Sequence, residues 1–128
     1  MRSAILVTSS GLSQISMPGI ASYCATKALV SNFTEALHFE VRDQVDVTCW
    51  EAGPCFTNLG QGKHPPKAIS LTAEKAVRGV LTQLGRSRIT DGNYWFHCLG
   101  GTLPNISLIG NKVADKARKI FEETKREH

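Results

Sequence analysis

"SAILVTSSGLSQISMPGIASYCATKALVSNFTEALHFEVRDQVDVTCWEAG", residues 3–53, decides the fold. Its opening run, "SAILVTSS", is short and apolar and is closed by small hydroxyl residues. Both of its faces read as buried, the pattern of a strand in a parallel sheet. The loop "GLSQISMPG" follows, punctuated by Gly and Pro. Residues 21–42 contain neither, and Ala25, Ala28, Leu29, Phe33, Ala36, Leu37 and Val41 recur at helical spacing. The spacing predicts a long helix that buries this face and turns Ser31, Thr34, Glu35, His38 and Arg42 to solvent. "VDVTCWEA", residues 45–52, is rich in β-branched residues and reads as a second strand.

Outward from this unit the alternation continues. "GPCFTNLGQGKHPPKAIS", residues 53–70, reads as one long loop, of a length usually reserved for function. "LTAEKAVRGVLTQLG", residues 71–85, reads as a helix, with Thr72 opening it, Glu74 in its first turn and Gly85 closing it. Its apolar face is Ala76, Val77, Val80, Leu81 and Leu84. "NYWFHCL", residues 93–99, reads as a third strand. Residues 111–128 read as a polar C-terminal helix whose thin stripe is Val113, Ala117, Ile120 and Phe121. Strand, helix, strand, helix, strand, helix predicts parallel strands with helices on the sheet faces, one half of a doubly wound α/β fold.

The bulk numbers fit one domain: 128 residues, 41% hydrophobic and 20% charged. The net charge of +4 is modest. It is partly a mixed solvated tail, and no basic run is dense enough to argue for nucleic acid. Cys24, Cys49, Cys55 and Cys98 form no CxxC, and His38, His64, His97 and His128 are scattered, so no metal site is expected. Free thiols point to a reducing compartment. The N-terminal apolar run is too short for a secretory signal, and nothing approaches the roughly 20 apolar residues of a spanning helix. Residues 93–111 carry no Asp, Glu, Lys or Arg. They read as a buried strand followed by an apolar loop, with a shallow membrane-surface contact as the alternative.

Tyr23 and Lys27 lie four apart at the start of the long helix, which puts them on one face, a turn apart. A cation beside a phenol favours the phenolate, and the positive end of the helix dipole acts in the same direction. This is the setting general acid–base chemistry uses. Ser10 ends the first strand, and the C-terminal strand ends of a parallel sheet face the ligand crevice. Its hydroxyl would donate to a carbonyl held against Tyr23, whereas Ser9 reads as a strand-end cap. The second strand runs into Gly53, which permits close backbone approach, Pro54, which stiffens the turn, and Thr57, which adds a hydroxyl at the same edge.

Ser10, the thirteen-residue interval to "YCATK", and a strand ending in "AGPCFTN" resemble the short-chain dehydrogenase/reductase superfamily over essentially the whole chain. "PGIASYCATKALVSNFTEALHFE" and "LTQLGRSRITDGNYWFHCLGG" resemble the branch of very-long-chain 3-oxoacyl-CoA reductases and 17β-hydroxysteroid dehydrogenases. The resemblance implies that Tyr23 is the proton donor and Lys27 the ligand of the nicotinamide ribose, while Ser10 orients the carbonyl. It also implies that Gly53, Pro54, Cys55 and Thr57 face the nicotinamide. The cofactor implied is NADP(H), with NAD(H) open, and the substrate is a lipid-like carbonyl compound of fatty-acid elongation or steroid metabolism. A homodimer through the 21–42 helix is implied too, at the endoplasmic reticulum membrane or in the cytoplasm.

Two departures matter. The glycine-rich GxxxGxG turn that cradles the pyrophosphate has no counterpart here, and the usual Pro-Gly after the second strand reads Ala52-Gly53. The chain is therefore expected to be the C-terminal part of a Rossmann-type doubly wound sheet, of about three strands, with the N-terminal nucleotide-binding half missing. On that expectation it is inactive alone. The competing reading is a non-catalytic fragment that serves as an interaction or dimerisation module.

Overall fold

The computed structural model describes residues 2–57 and 70–92, with helical positions Lys112, Asp115, Lys116, Arg118, Lys119, Glu122 and Glu123. The predicted strand at 93–99, the apolar run to residue 111 and the apolar stripe of the last helix lie outside the described residues.

Strand β1 (Ser3–Thr8) leads through a 3-10 turn (Gly11–Gln14) into helix α1 (Ala21–Val41), which returns the chain to strand β2 (Val45–Trp50). β1 and β2 pair in parallel, from Ser3 opposite Val45 to Thr8 opposite Trp50. The pairing runs on past both strands, because Ser9 N–H donates to Trp50 C=O at 2.7 Å and Gly11 N–H to Ala52 C=O at 3.0 Å. A parallel pair needs a crossover, and α1 supplies it. The expected β-α-β unit stands, and with it the α/β class of parallel strands flanked by helices.

The third strand of this sheet within the described residues is β5 (Ile89–Thr90), parallel to β2 with Cys49 opposite Ile89. It falls before the segment predicted as a strand. The sheet order is β1-β2-β5. The predicted long loop also carries structure: β3 (Cys55–Phe56) pairs in parallel with β4 (Leu71–Thr72), where Leu71 N–H reaches Pro54 C=O at 3.1 Å. Helix α2 (Ala73–Leu81) follows, and the Thr72 hydroxyl caps it by accepting from Lys75 N–H at 3.4 Å. α2 ends a turn earlier than predicted, because its hydrogen bonds tighten to three-residue spacing, Gln83 N–H to Val80 C=O at 2.9 Å. Gly85, with φ of 74°, closes that following turn rather than the helix.

The most buried apolar side chains lie on β2 and α2: Val47, Cys49, Ala76 and Val80 are each at most 2% exposed. Burying a valine of this kind stabilises by roughly 1.5–3 kcal/mol. β1 differs from its expectation. Among the described residues it is the edge strand, Ser3 to Ile5 and Thr8 are exposed, and Ile5 is 43% exposed.

The larger correction concerns α1. The buried positions are Cys24, Ser31 and Thr34, while Leu29 and Phe33 are 70% and 64% exposed. Of the face read as apolar core, Ala25, Leu29, Phe33 and Ala36 are exposed and Ala28, Leu37 and Val41 only half-buried, while two residues expected in solvent, Ser31 and Thr34, face inward. Small side chains let a helix lie close on a sheet, and their hydroxyls are satisfied there. Thr34 donates to Val30 C=O at 2.7 Å and Ser31 to groups beneath the helix.

Candidate active site

The C-terminal ends of β1 and β2 form one edge, and the first turns of α1 rise beside it. Tyr23 stands in the first turn, 43% exposed. Lys27, half-buried, carries its ammonium 5.8 Å from the centre of the Tyr23 ring. The same ammonium reaches the carbonyl of Thr8, the last residue of β1, at 3.5 Å. The helix thus brings the pair together as the four-residue spacing implies, and the lysine leans over the strand end. Tyr23 is fixed through its backbone, because the Thr26 hydroxyl donates to its carbonyl at 2.8 Å.

Ser10 lies just past β1, 6% exposed. Its oxygen accepts from Leu12 N–H at 3.2 Å and so caps the 3-10 turn. The capping role expected of Ser9 therefore belongs to Ser10. A hydroxyl that accepts from an amide keeps its own proton for donation, and among the described residues that proton meets no acceptor. Ser9 instead binds the helix, donating to Lys27 C=O at 2.9 Å.

Gly53, Pro54, Cys55 and Thr57 follow β2 at the same edge, Pro54 and Thr57 exposed and the other two half-buried. Burial pushes the Cys55 thiol pKa up, so this sulfur favours the protonated form. Among the described residues no cluster of His, Cys, Asp and Glu is placed to hold a metal ion, and no helix is long and apolar enough to cross a membrane.

Below this edge lies a polar network that sequence reading left aside. Glu51, 7% exposed, accepts from Ser13 Oγ at 2.8 Å, from Ser31 Oγ at 3.0 Å and from the Gln14 amide. Ser31 also lies 2.8 Å from Ser9 Oγ, and the Cys49 thiol approaches Ser31 Oγ at 3.8 Å. Burial raises the Cys49 pKa most strongly. The Ser31 hydrogen bond works against that rise, and the Glu51 charge adds to it. No local motif announces this network, since Glu51 is 20 residues from Ser31 and 38 from Ser13.

The residues present fit one end of a nicotinamide nucleotide. An ammonium with one long hydrogen bond among the described residues and a phenol beside it, both at the strand ends, offer partners to a ribose and a carbonyl. No glycine-rich turn of the pyrophosphate-binding type occurs in the sequence.

Comparison with known proteins agrees with this fold. The chain is 34% identical over 79 residues to 11-beta-hydroxysteroid dehydrogenase-like 6 of Arabidopsis thaliana, a match covering 62% of this chain and 23% of that protein. It is 30% identical over 107 residues to the very-long-chain 3-oxoacyl-CoA reductase of Schizosaccharomyces pombe, covering 83% of this chain and 28% of the relative. The chain therefore spans less than a third of the length of either relative. A solved 7beta-hydroxysteroid dehydrogenase structure superposes with a TM-score of 0.60 at 27% identity, covering 76% of this chain and 42% of that one. The family profile named short chain dehydrogenase matches residues 2–68. With its parallel β-α-β unit and its tyrosine–lysine pair at the strand ends, the chain belongs to the short-chain dehydrogenase/reductase family.

Proposed function

We propose that this chain carries the catalytic half of an NADP(H)-dependent carbonyl reductase, acting on a lipid-like ketone such as a 3-oxoacyl-CoA or a steroid. The observation that carries the reading is the Lys27 ammonium, held between the Tyr23 ring and the carbonyl that ends β1. Relatives that are a hydroxysteroid dehydrogenase-like protein and a 3-oxoacyl-CoA reductase support the substrate class.

A nicotinamide nucleotide held here would bring hydride-transfer chemistry to the carbonyl. Ser10 donates its free proton to the carbonyl oxygen and fixes its direction. Tyr23 O–H gives that oxygen the proton that completes the alcohol, and Lys27 stabilises the phenolate left behind. Lys27 and the Tyr23 hydroxyl would also hold the ribose, and the backbone of Gly53, Pro54 and Cys55 with the Thr57 hydroxyl would line the nicotinamide. Lacking a pyrophosphate cradle in its sequence, the isolated chain binds NADPH weakly and turns over negligibly. An endoplasmic reticulum membrane location is part of the same proposal, tested by fractionation of cells that express the chain.

The test follows NADPH oxidation with a 3-oxoacyl thioester and with a ketosteroid. It uses the chain alone and the chain fused behind a glycine-rich nucleotide-binding half. The fusion turns over, and Tyr23→Phe lowers its rate by about 10²–10⁴-fold, the usual contribution of a positioned acid. Unchanged reduction in the Tyr23→Phe fusion removes the mechanism.

A second reading concerns assembly. Leu29 and Phe33 are exposed on the outer face of α1 at four-residue spacing, so their side chains are neighbours. We propose that this face pairs two copies of the chain, whether or not they are catalytic.

A further inference from the structure

Glu51 has no part in the chemistry proposed above, yet it is 7% exposed. A buried carboxylate needs compensation. Among the described residues it makes no ion pair with a cation. Its compensation comes from neutral donors on two other elements. Ser13 and Gln14 belong to the turn that Ser10 caps, and Ser31 belongs to α1.

Proton bookkeeping fixes the direction of the network. The Ser9 proton goes to Lys27 C=O, which leaves Ser9 Oγ as an acceptor. Ser13 and Gln14 give theirs to Glu51. The single Ser31 proton is then shared between Ser9 Oγ and Glu51 Oε1, which stand 2.8 and 3.0 Å from it. Every group facing the carboxylate is a donor, the arrangement an ionised acid requires. The turn after β1 and the helix with the tyrosine–lysine pair thus converge on two oxygens of one side chain.

We propose that Glu51 is a positioning residue, whose carboxylate locks the turn bearing Ser10 to the helix bearing Tyr23 and Lys27. The proposal rests on the carbonyl-orienting role given to Ser10. Substitution separates charge from hydrogen bonding. In Glu51→Gln the amide oxygen still accepts from Ser13 and Ser31, and its NH₂ meets Gln14 once that amide turns over. Glu51→Leu removes every acceptor.

The experiment measures amide hydrogen exchange in the chain itself, which needs no turnover. The reporters are Leu12, bonded to Ser10 Oγ, and Ser13, bonded to Ser10 C=O. The control is Cys49, bonded to Arg88 C=O in the sheet. In Glu51→Leu the reporters exchange at least about tenfold faster while Cys49 changes less than about threefold, and Glu51→Gln restores the reporters. If Glu51→Leu loosens the whole chain, the Ser13→Ala, Gln14→Ala double variant decides, since it keeps the carboxylate and removes the donors on the turn. Faster exchange at Leu12 alone supports the lock, and unchanged exchange at Leu12 overturns it. Failure of Glu51→Gln to restore protection overturns it as well.

A second arm uses turnover of the fusion described above. When Glu51 acts through Ser10, Glu51→Leu added to Ser10→Ala slows the reaction no more than about threefold further, whereas fully multiplied losses overturn the coupling. Should Ser10→Ala leave turnover intact, the role of Ser10 fails, and the exchange arm still decides the lock.

Discussion

Thr48→Val isolates what joins β2 to the turn before β5. Thr48 is fully buried. Its hydroxyl donates to Ser87 C=O at 2.8 Å and accepts from Gly85 N–H at 3.2 Å. Valine keeps the branched shape and deletes both bonds, so no large cavity complicates the reading. Each bond contributes about 1 kcal/mol net, and the loss is about 2 kcal/mol, nearer 3 if the Ser87 carbonyl stays dry. At about 2.1 cal/mol/K per residue, a chain of 128 residues has an unfolding entropy of about 0.27 kcal/mol/K, and the expected drop in Tm is about 7–11 °C. Thr48→Ser is the control: it keeps the hydroxyl, loses one buried methyl and costs about 1 kcal/mol. Urea unfolding with a constant m-value and a thermal melt give both numbers. A valine variant within about 0.5 kcal/mol of the parent, or a serine variant less stable than the valine one, refutes the claim that hydrogen bonding rather than packing holds this junction.

Gly85→Ala places a side chain at φ of 74°, with its Cβ 3.1 Å from Asp46 Oδ2. The backbone term alone is about 1–2 kcal/mol, and Tm falls by roughly 4–7 °C. A melt matching the parent shows that the turn tolerates a side chain. Because burial raises the thiol pKa of Cys49 and Cys55, the native state keeps protons that the unfolded chain releases. This stability is fully present below the unfolded pKa of about 8.5 and falls as pH rises from there through the folded value. The urea midpoint is therefore lower at pH 9.5 than at 7.5, and the Cys49→Ala, Cys55→Ala double variant shows a smaller fall; an equal fall in that variant assigns the pH dependence elsewhere. Phe33→Glu charges the exposed face of α1 without touching the core, so sedimentation shifts from dimer to monomer and the urea midpoint loses its dependence on protein concentration. A parent chain that already sediments as a monomer removes the pairing.

The β-α-β unit was legible because its signals are local. An apolar run closed by hydroxyls, the stretch 21–42 without Pro or Gly, and a β-branched run set β1, α1 and β2 close to their observed bounds. The tyrosine–lysine pair was legible for the same reason, since helical geometry alone brings residues four apart together. The short strands were not. β3, β4 and β5 have two residues each and owe their form to neighbours far along the chain, such as Pro54 to Leu71. Two residues carry no periodicity to read.

The misreading of α1 has a physical lesson that bears on the site. Hydrophobic periodicity locates a core when burial is driven by large apolar side chains. Here the sheet-facing side is Cys24, Ser31 and Thr34, and the large apolar residues Leu29 and Phe33 stand outward. A serine on the buried face adds little apolar area. What it adds is direction: Ser31 can be satisfied only if Ser9 and Glu51 stand where they do. Shape-filling residues tolerate small slips between a helix and a sheet, whereas a hydrogen-bonded hydroxyl fixes the offset to a few tenths of an ångström. On the proposed mechanism, a strand-end serine that orients a carbonyl and a helical tyrosine that protonates it need that tolerance, because both must reach one oxygen. The polar underside of α1 is thus the feature that apolar patterning hides and that the proposed acid–base chemistry at this edge would use.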